Sequence, residues 1–334
     1  MKKKAKRWLL ILLILMVGGV AMLNVLTYNH AHAMMHFTSD GPRTKKPEQL
    51  FFPAKLKVLI AGVNVPRPAS DRLPSDLNPD CQSLTIRCPN DVTLSAWYTD
   101  QGNATPLVIL FHGYAAEKTS LLPEAKMFLD LGASVLLVDF RGSGGSSESY
   151  TTIGIHEGED VAAVVRYSQD NLEHSAFILF GQSMGAVAIL RAVHEYGIEP
   201  DAVILEAVFD TMLNTIRNRF GAMGVPSFPC AELLVFWGGR QWGFNGFAHN
   251  PVEYARSVDC PILLMHGTDD PRATLTEGHR VFDALPGQKY FRKFESVGHG
   301  AYASIYPEEW QAAVEKIIMR VENRHIHDTA SHRP

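Results

Sequence analysis

From residue 107 onward, short apolar runs alternate with longer segments whose apolar residues recur every three or four positions. Residues 107–111, 135–139, 177–180, 202–206, 261–265 and 290–294 are short, largely continuous apolar runs that read as strands, several of them buried on both faces. Residues 121–131, 157–169, 186–196, 275–285 and 308–321 carry the helical period. Ahead of this series, residues 83–88 and 92–98 are joined through Pro89-Asn90-Asp91, a hairpin signal. The pattern predicts an α/β fold with a mostly parallel central sheet, helices on both faces and an antiparallel hairpin at one edge.

The rhythm breaks in two places. Residues 209–250 form an insert rich in aromatic residues, among them Phe220, Phe228, Phe236, Trp237, Trp242, Phe244 and Phe247, with Arg217 and Arg219 between them. At the other break, Lys2, Lys3, Lys4, Lys6 and Arg7 precede an almost unbroken apolar run over residues 8–26. As a helix that run spans about 28 Å, close to the hydrocarbon thickness of a bilayer. The basic flank predicts a cytoplasmic N-terminus and an exported body, hence a single-pass inner-membrane protein facing the periplasm. The small residues of Ala31-His32-Ala33 allow a competing reading as a cleaved signal, which would give a secreted protein. Residues 1–33 are thus an anchor or signal segment, and residues 34–80 a linker. Within the linker, residues 52–63 suggest an amphipathic helix with Leu56, Leu59, Ile60 and Val63 on its apolar face, lying on the membrane or on the domain. The folded body is expected over residues 81–323, and residues 324–334, with His325, His327 and His332, read as a polar tail.

Composition changes this picture little. A hydrophobic content of 46% over 334 residues suffices for a large core, and a net charge of -4 gives no reason to expect nucleic acid as a partner. The four cysteines matter because an exported body meets an oxidising compartment. Of the pairings open to them, Cys81 with Cys88 is expected from closeness in sequence, and Cys260 reads as a buried thiol. No metal-ligand spacing appears, and no metal or cofactor is expected. The loop Gly142-Ser143-Gly144-Gly145-Ser146 lacks the spacing of a dinucleotide fingerprint.

The chemistry concentrates at Gly181-Gln182-Ser183-Met184-Gly185, set between an apolar strand and a helical segment. A strand turning sharply into a helix leaves the serine exposed at the tip, and side chains at Gly181 and Gly185 would collide with neighbouring backbone. The bland reading is a tight connection whose serine caps the helix. Candidate partners follow in order: Asp270 after the strand at 261–265 and His299 after the strand at 290–294. These residues, with His112-Gly113 and Asp139-x-Arg141-Gly142-x-Gly144, make residues 84–320 resemble the α/β-hydrolase family. The resemblance implies a serine hydrolase with Ser183 as nucleophile, His299 as base and Asp270 as the acid. Asp210 and Asp269 compete with Asp270 for that role. It implies an oxyanion hole from the backbone N–H groups of Tyr114 and Met184, and structural roles for His112, His266 and Arg141.

Serine at position 183 disfavours the dehalogenase and epoxide-hydrolase branches, which carry aspartate there. Ala186, where the prolyl-peptidase branch usually has glycine, lowers the peptidase reading. The pattern looks most like membrane-anchored lipases of monoacylglycerols and lysophospholipids, or depalmitoylases, so the expected substrate is a small-molecule or lipid ester or thioester with an apolar acyl group. The insert at 209–250 is expected to cap the pocket, with Phe228, Phe236, Trp237 and Trp242 near Ser183; alternatively its aromatics only cover the sheet. A serine peptidase of the same fold and an inactive membrane-tethered binding scaffold are the competing functions.

Overall fold

The computed structural model describes residues 2–331. Eight strands form one sheet: β1 (Gln82–Arg87), β2 (Thr93–Thr99), β3 (Leu107–Phe111), β4 (Ser134–Val138), β5 (Phe177–Gln182), β6 (Ala202–Glu206), β7 (Ile262–Gly267) and β8 (Lys289–Phe294). They lie in the order β1-β2-β4-β3-β5-β6-β7-β8. β1 and β2 pair antiparallel, as do β2 and β4, and every later pairing is parallel. The hairpin between β1 and β2 turns on Asn90 and Asp91, both left-handed, at φ 59° and 60°, the backbone that twists with its flanking strands.

The helices are α1 (Lys2–Met35), α2 (Phe52–Ala61), α3 (Leu122–Asp130), α4 (His156–Asn171), α5 (Met184–Tyr196), α6 (Met212–Met223), α7 (Cys230–Trp242), α8 (Pro251–Ala255), α9 (Leu275–Ala284), α10 (Tyr302–Ile305) and α11 (Pro307–Ser331). The sheet separates two apolar cores. Leu107, Ile109 and Phe111 of β3 face the core shared with α4 and α5, while Val108 and Leu110 face the one shared with α3 and α11. Both faces are dry, which is why β3 reads as a continuous apolar run instead of an alternating one. α11 continues past residue 321, where the apolar period ends, to Ser331; His332 of the expected tail lies outside the described residues.

The N-terminal region departs furthest from expectation. The apolar run at 8–26 is one part of a single helix that continues through residues 27–35, two residues into the expected linker. Residues 4–35 make a candidate membrane span, with a best-window mean hydropathy of 2.8 and none of that window buried. At 1.5 Å per residue the helix is about 48 Å long, well beyond one bilayer core. The large apolar residues from Trp8 to Met22 are exposed, while its last turns bury Thr27, Ala31, Met34 and Met35 against the body. The chain beyond is also folded onto the domain: Phe37 N–H donates to the Ser149 carbonyl at 2.8 Å and Thr38 N–H to Val65 at 2.9 Å. In α2, Val58 is buried while Phe52, Leu56 and Ile60 stay exposed, so this helix both rests on the domain and presents an apolar face outward.

The expected Cys81–Cys88 bridge is absent, and both carry free thiols. The two residues flank β1, and an extended strand separates its ends by about 3.3 Å per residue, so closeness in sequence becomes distance in space. That distance far exceeds the reach of a disulfide. Cys260 is buried.

Candidate active site

β5 ends in the turn that carries Ser183, the residue at the head of α5. Ser183 has φ 53° and ψ -109°, a strained backbone for any residue with a side chain. The neighbours explain how the turn is possible. A Cβ on Gly181 would lie 2.6 Å from the Gly185 carbonyl carbon, and one on Gly185 would run into the Phe111 carbonyl of β3. The turn is fixed from below by the Ser183 N–H, which donates to the Glu206 carbonyl on β6 at 2.7 Å.

Two loops at the same end of the sheet bring the partners. The His299 ring lies between Ser183 and Asp270: Nε2 is 2.8 Å from Ser183 Oγ and Nδ1 is 2.6 Å from Asp270 Oδ2. Asp270 is buried and also accepts the N–H groups of Arg272 (2.8 Å) and Ala273 (3.1 Å) through its other oxygen. Burial pushes its carboxyl up, but the bond to His299, the charge of that ring and the two N–H groups outweigh it, so the pKa falls below the ordinary value. Asp270 is therefore an anion at neutral pH, and His299 takes the tautomer with hydrogen on Nδ1. That leaves Nε2 to accept the serine proton.

The competing acids are engaged elsewhere. Asp210 forms a 2.8 Å salt bridge with Arg280 and accepts the Asn214 amide at 3.0 Å, and Asp269 meets Thr268. The backbone N–H groups of Met184 and Tyr114 have no acceptor among the described residues. Met184 opens α5, where the helix dipole also favours negative charge.

The remaining sequence motifs act as scaffolding. His112 is buried; its Nε2 accepts the Phe140 N–H at 3.1 Å, so Nδ1–H donates to the Gly113 carbonyl at 2.8 Å. Burial lowers its pKa and keeps it neutral. His266 is likewise buried, holds the Ala273 carbonyl at 2.8 Å, and has its pKa lowered by burial. Arg141 pairs with Asp160 (2.5 Å) and Glu159 (3.0 Å) of α4, and Lys118 with Asp139 (2.5 Å), tying the glycine-rich loop to its surroundings. Among the described residues no cluster of His, Cys, Asp or Glu has the makings of a metal site.

Ser183, Met184, Tyr114 and His299 open into a cavity of about 580 Å³. Its apolar wall includes Leu23, Leu26 and Met34 of α1, Leu59 of α2, and Phe220 and Met223 of α6. The insert at 209–250 does cover Ser183, but not with the aromatics expected. Phe228 and Phe236 are exposed, Trp237 meets Tyr28 edge-on at 5.5 Å, and Trp242 stacks on Tyr150 at 4.0 Å. None of the four lines the cavity, and Trp237 clamps α1 instead: its Nε1 also donates to Asn24 Oδ1 at 3.1 Å, and the neighbouring Gln241 donates to the Tyr28 carbonyl at 3.0 Å. The part of α1 in the cavity wall was missed in the sequence, although Leu23, Thr27, His30 and Met34 fall on one helix face and polar residues first enter the run there.

Similarity to known proteins agrees with the fold. The profile of a family described as serine aminopeptidase, S33, matches residues 102–215, about a third of the chain, including Ser183 but neither Asp270 nor His299. An uncharacterized protein of Bacillus subtilis is 28% identical over 185 residues, covering 54% of this chain. The alignment spans 61% of that relative's own length. The lysophosphatidylserine lipase of Rattus norvegicus is 24% identical over 274 residues, covering 72% of this chain and 66% of its own. Among solved structures, an esterase of Pyrococcus furiosus superposes with a TM-score of 0.65 at 26% identity, over 77% of this chain and 97% of the esterase.

Proposed function

We propose that this chain, a member of the α/β-hydrolase superfamily, is a membrane-anchored serine hydrolase that cleaves carboxylic esters or thioesters with apolar acyl groups. The observation that carries the reading is the continuous hydrogen-bond chain from Asp270 through His299 to Ser183, opening into a cavity with an apolar wall. A serine hydroxyl alone is a weak nucleophile at neutral pH. In the proposed mechanism Nε2 of His299 removes the Ser183 proton as Oγ attacks the acyl carbon. Asp270 holds the ring in place and stabilises the imidazolium. The carbonyl oxygen becomes an oxyanion held by the N–H groups of Met184 and Tyr114, a contribution of about 3–4 kcal/mol per donor. His299 then protonates the departing alcohol or thiol. Water, activated by the same ring, releases the acid and restores Ser183.

The family description raises a second reading, an aminopeptidase. Such an enzyme needs a carboxylate to receive the free ammonium of its substrate, and no Asp or Glu lines this cavity. That favours the ester reading. A binding scaffold would have no use for the strained Ser183 backbone or for two unpaired N–H groups beside it.

The anchor reading rests on α1. Ala31 and Met34 stand on either side of the small-residue cleavage site and are both buried, and Leu23, Leu26 and His30 line the cavity. Cleavage after Ala33 would remove that wall. We therefore favour a retained helix, basic end in the cytoplasm and body on the periplasmic side. Activity of the membrane-embedded chain against p-nitrophenyl esters of increasing length tests the function. Rising kcat/KM with chain length, abolished in Ser183→Ala, is expected; undiminished turnover by that variant would contradict it.

A further inference from the structure

The cavity has a second chemical character that acyl binding does not use. Five of its lining side chains are cationic, namely Arg43, Lys45, Lys46, Arg219 and Arg272, and none is acidic, although the chain as a whole carries a net charge of -4. Arg272 is neutralised by Glu48 at 2.6 Å. Arg43, Lys45 and Lys46 form an exposed rim with no salt bridge among the described residues. Arg219 lies deeper. Its guanidinium carbon sits 5.0 Å from the centre of the Tyr114 ring. No salt bridge or hydrogen bond from Arg219 to a described residue is formed, and its Nε is buried without a partner.

A cation drawn out of water and left without an anion is unfavourable, and burial accordingly lowers the basicity of Arg219, with Arg272 and Arg43 adding repulsion against the pull of Tyr114 and Glu48. An aromatic face compensates only in part. The guanidinium has a planar fork of donors suited to a phosphate or carboxylate. Its position also matters, because Tyr114 carries Arg219 on its ring and lines the same cavity as Ser183.

We infer that the substrate ester carries its own anionic group, a phosphate or carboxylate near the scissile bond, and that Arg219 is the residue that selects for it, with Arg43, Lys45 and Lys46 drawing it in from the rim. The inference rests on the ester-hydrolase reading above. It makes the physiological substrate an anionic single-chain amphiphile, with its chain along α1 and α6 and its charge on Arg219.

The test compares a monoacylglycerol with the monoacylglycerol phosphate of the same chain, each at equal surface fraction in mixed micelles, using the full-length detergent-solubilised protein. The wild type is expected to prefer the phosphate by about tenfold or more in kcat/KM, the scale of a charge-assisted hydrogen bond. Arg219→Gln should erase most of that ratio, chiefly through KM, whereas Arg219→Lys retains part of it. Raising the salt concentration should lower the ratio through the exposed rim cations. Should the glutamine variant fail to fold, Arg43→Gln at the exposed rim lowers the ratio by a smaller factor. A wild type that turns over both esters with equal kcat/KM overturns the inference and leaves the esterase reading intact; no turnover of either ester removes both. If added inorganic phosphate accelerates cleavage of the neutral ester, the site is a receptor for a free anion and the inference fails.

Discussion

The Tyr114 hydroxyl donates a 2.6 Å hydrogen bond to the Met34 carbonyl in the last turn of α1. The loop proposed to offer an N–H to the reaction centre is thereby fastened to the proposed membrane helix. Helix α1 and the candidate active site are packed as one unit, and Tyr114→Phe tests this joint without touching the backbone donor. We expect a loss of about 1 kcal/mol in stability by thermal denaturation. A fall in kcat is also expected, since the loop proposed to hold the oxyanion is loosened.

Removal of residues 1–33 should discriminate by chain length. The truncated protein loses Leu23 and Leu26 from the cavity wall but keeps Ser183, His299 and Asp270. Hydrolysis of a long-chain ester should fall much more than hydrolysis of an acetate. The mature protein in membranes should begin ahead of residue 34 by N-terminal sequencing; a start at Met34 would contradict retention of α1.

Asp270→Asn should lower kcat by about a thousandfold or more, because an amide in place of the carboxylate no longer fixes the productive tautomer of His299. Asp210→Asn is the matched control. Its carboxylate is committed to Arg280 and Asn214, so stability changes while turnover stays near that of the wild type. The reverse result would move the acid to the end of β6.

A buried pair of carboxyl groups beneath the nucleophile predicts how stability depends on pH. Glu206 accepts from Trp310 Nε1 at 2.6 Å and Gln182 Nε2 at 3.2 Å, while Glu124 Oε2 has no partner. Burial first, and for Glu124 the nearby Glu206, push both pKa values up from the ordinary 4.5. The native state then holds protons that the unfolded chain releases, so this pair's contribution to stability is fully present below the ordinary glutamate range and is lost as the pH rises through neutrality. Glu124→Gln should flatten that fall in denaturation midpoints measured across the range.

Much of the fold was legible because the strands are apolar on both faces and the connecting helices keep their period. The turn at Ser183 was legible because its glycines are sterically required at Gly181 and Gly185. What escaped was long-range packing. Nothing local in the aromatic residues 236–242 tells that Trp237 holds Asn24 and Trp242 stacks on Tyr150. A bulky ring satisfies a helix-clamping site and a pocket wall equally well. Cys81 and Cys88 misled for a related reason, since spacing along the chain says nothing of distance until the segment between them is known to be extended.

The central claim is that Ser183 becomes acylated, and mass spectrometry of the full-length protein treated with a fluorophosphonate tests it most directly. The account predicts one phosphonyl adduct on the peptide containing Ser183, with no label in Ser183→Ala and much slower labelling in His299→Ala. An adduct on another residue, or ester hydrolysis by a wild type whose Ser183 stays unlabelled, would contradict it.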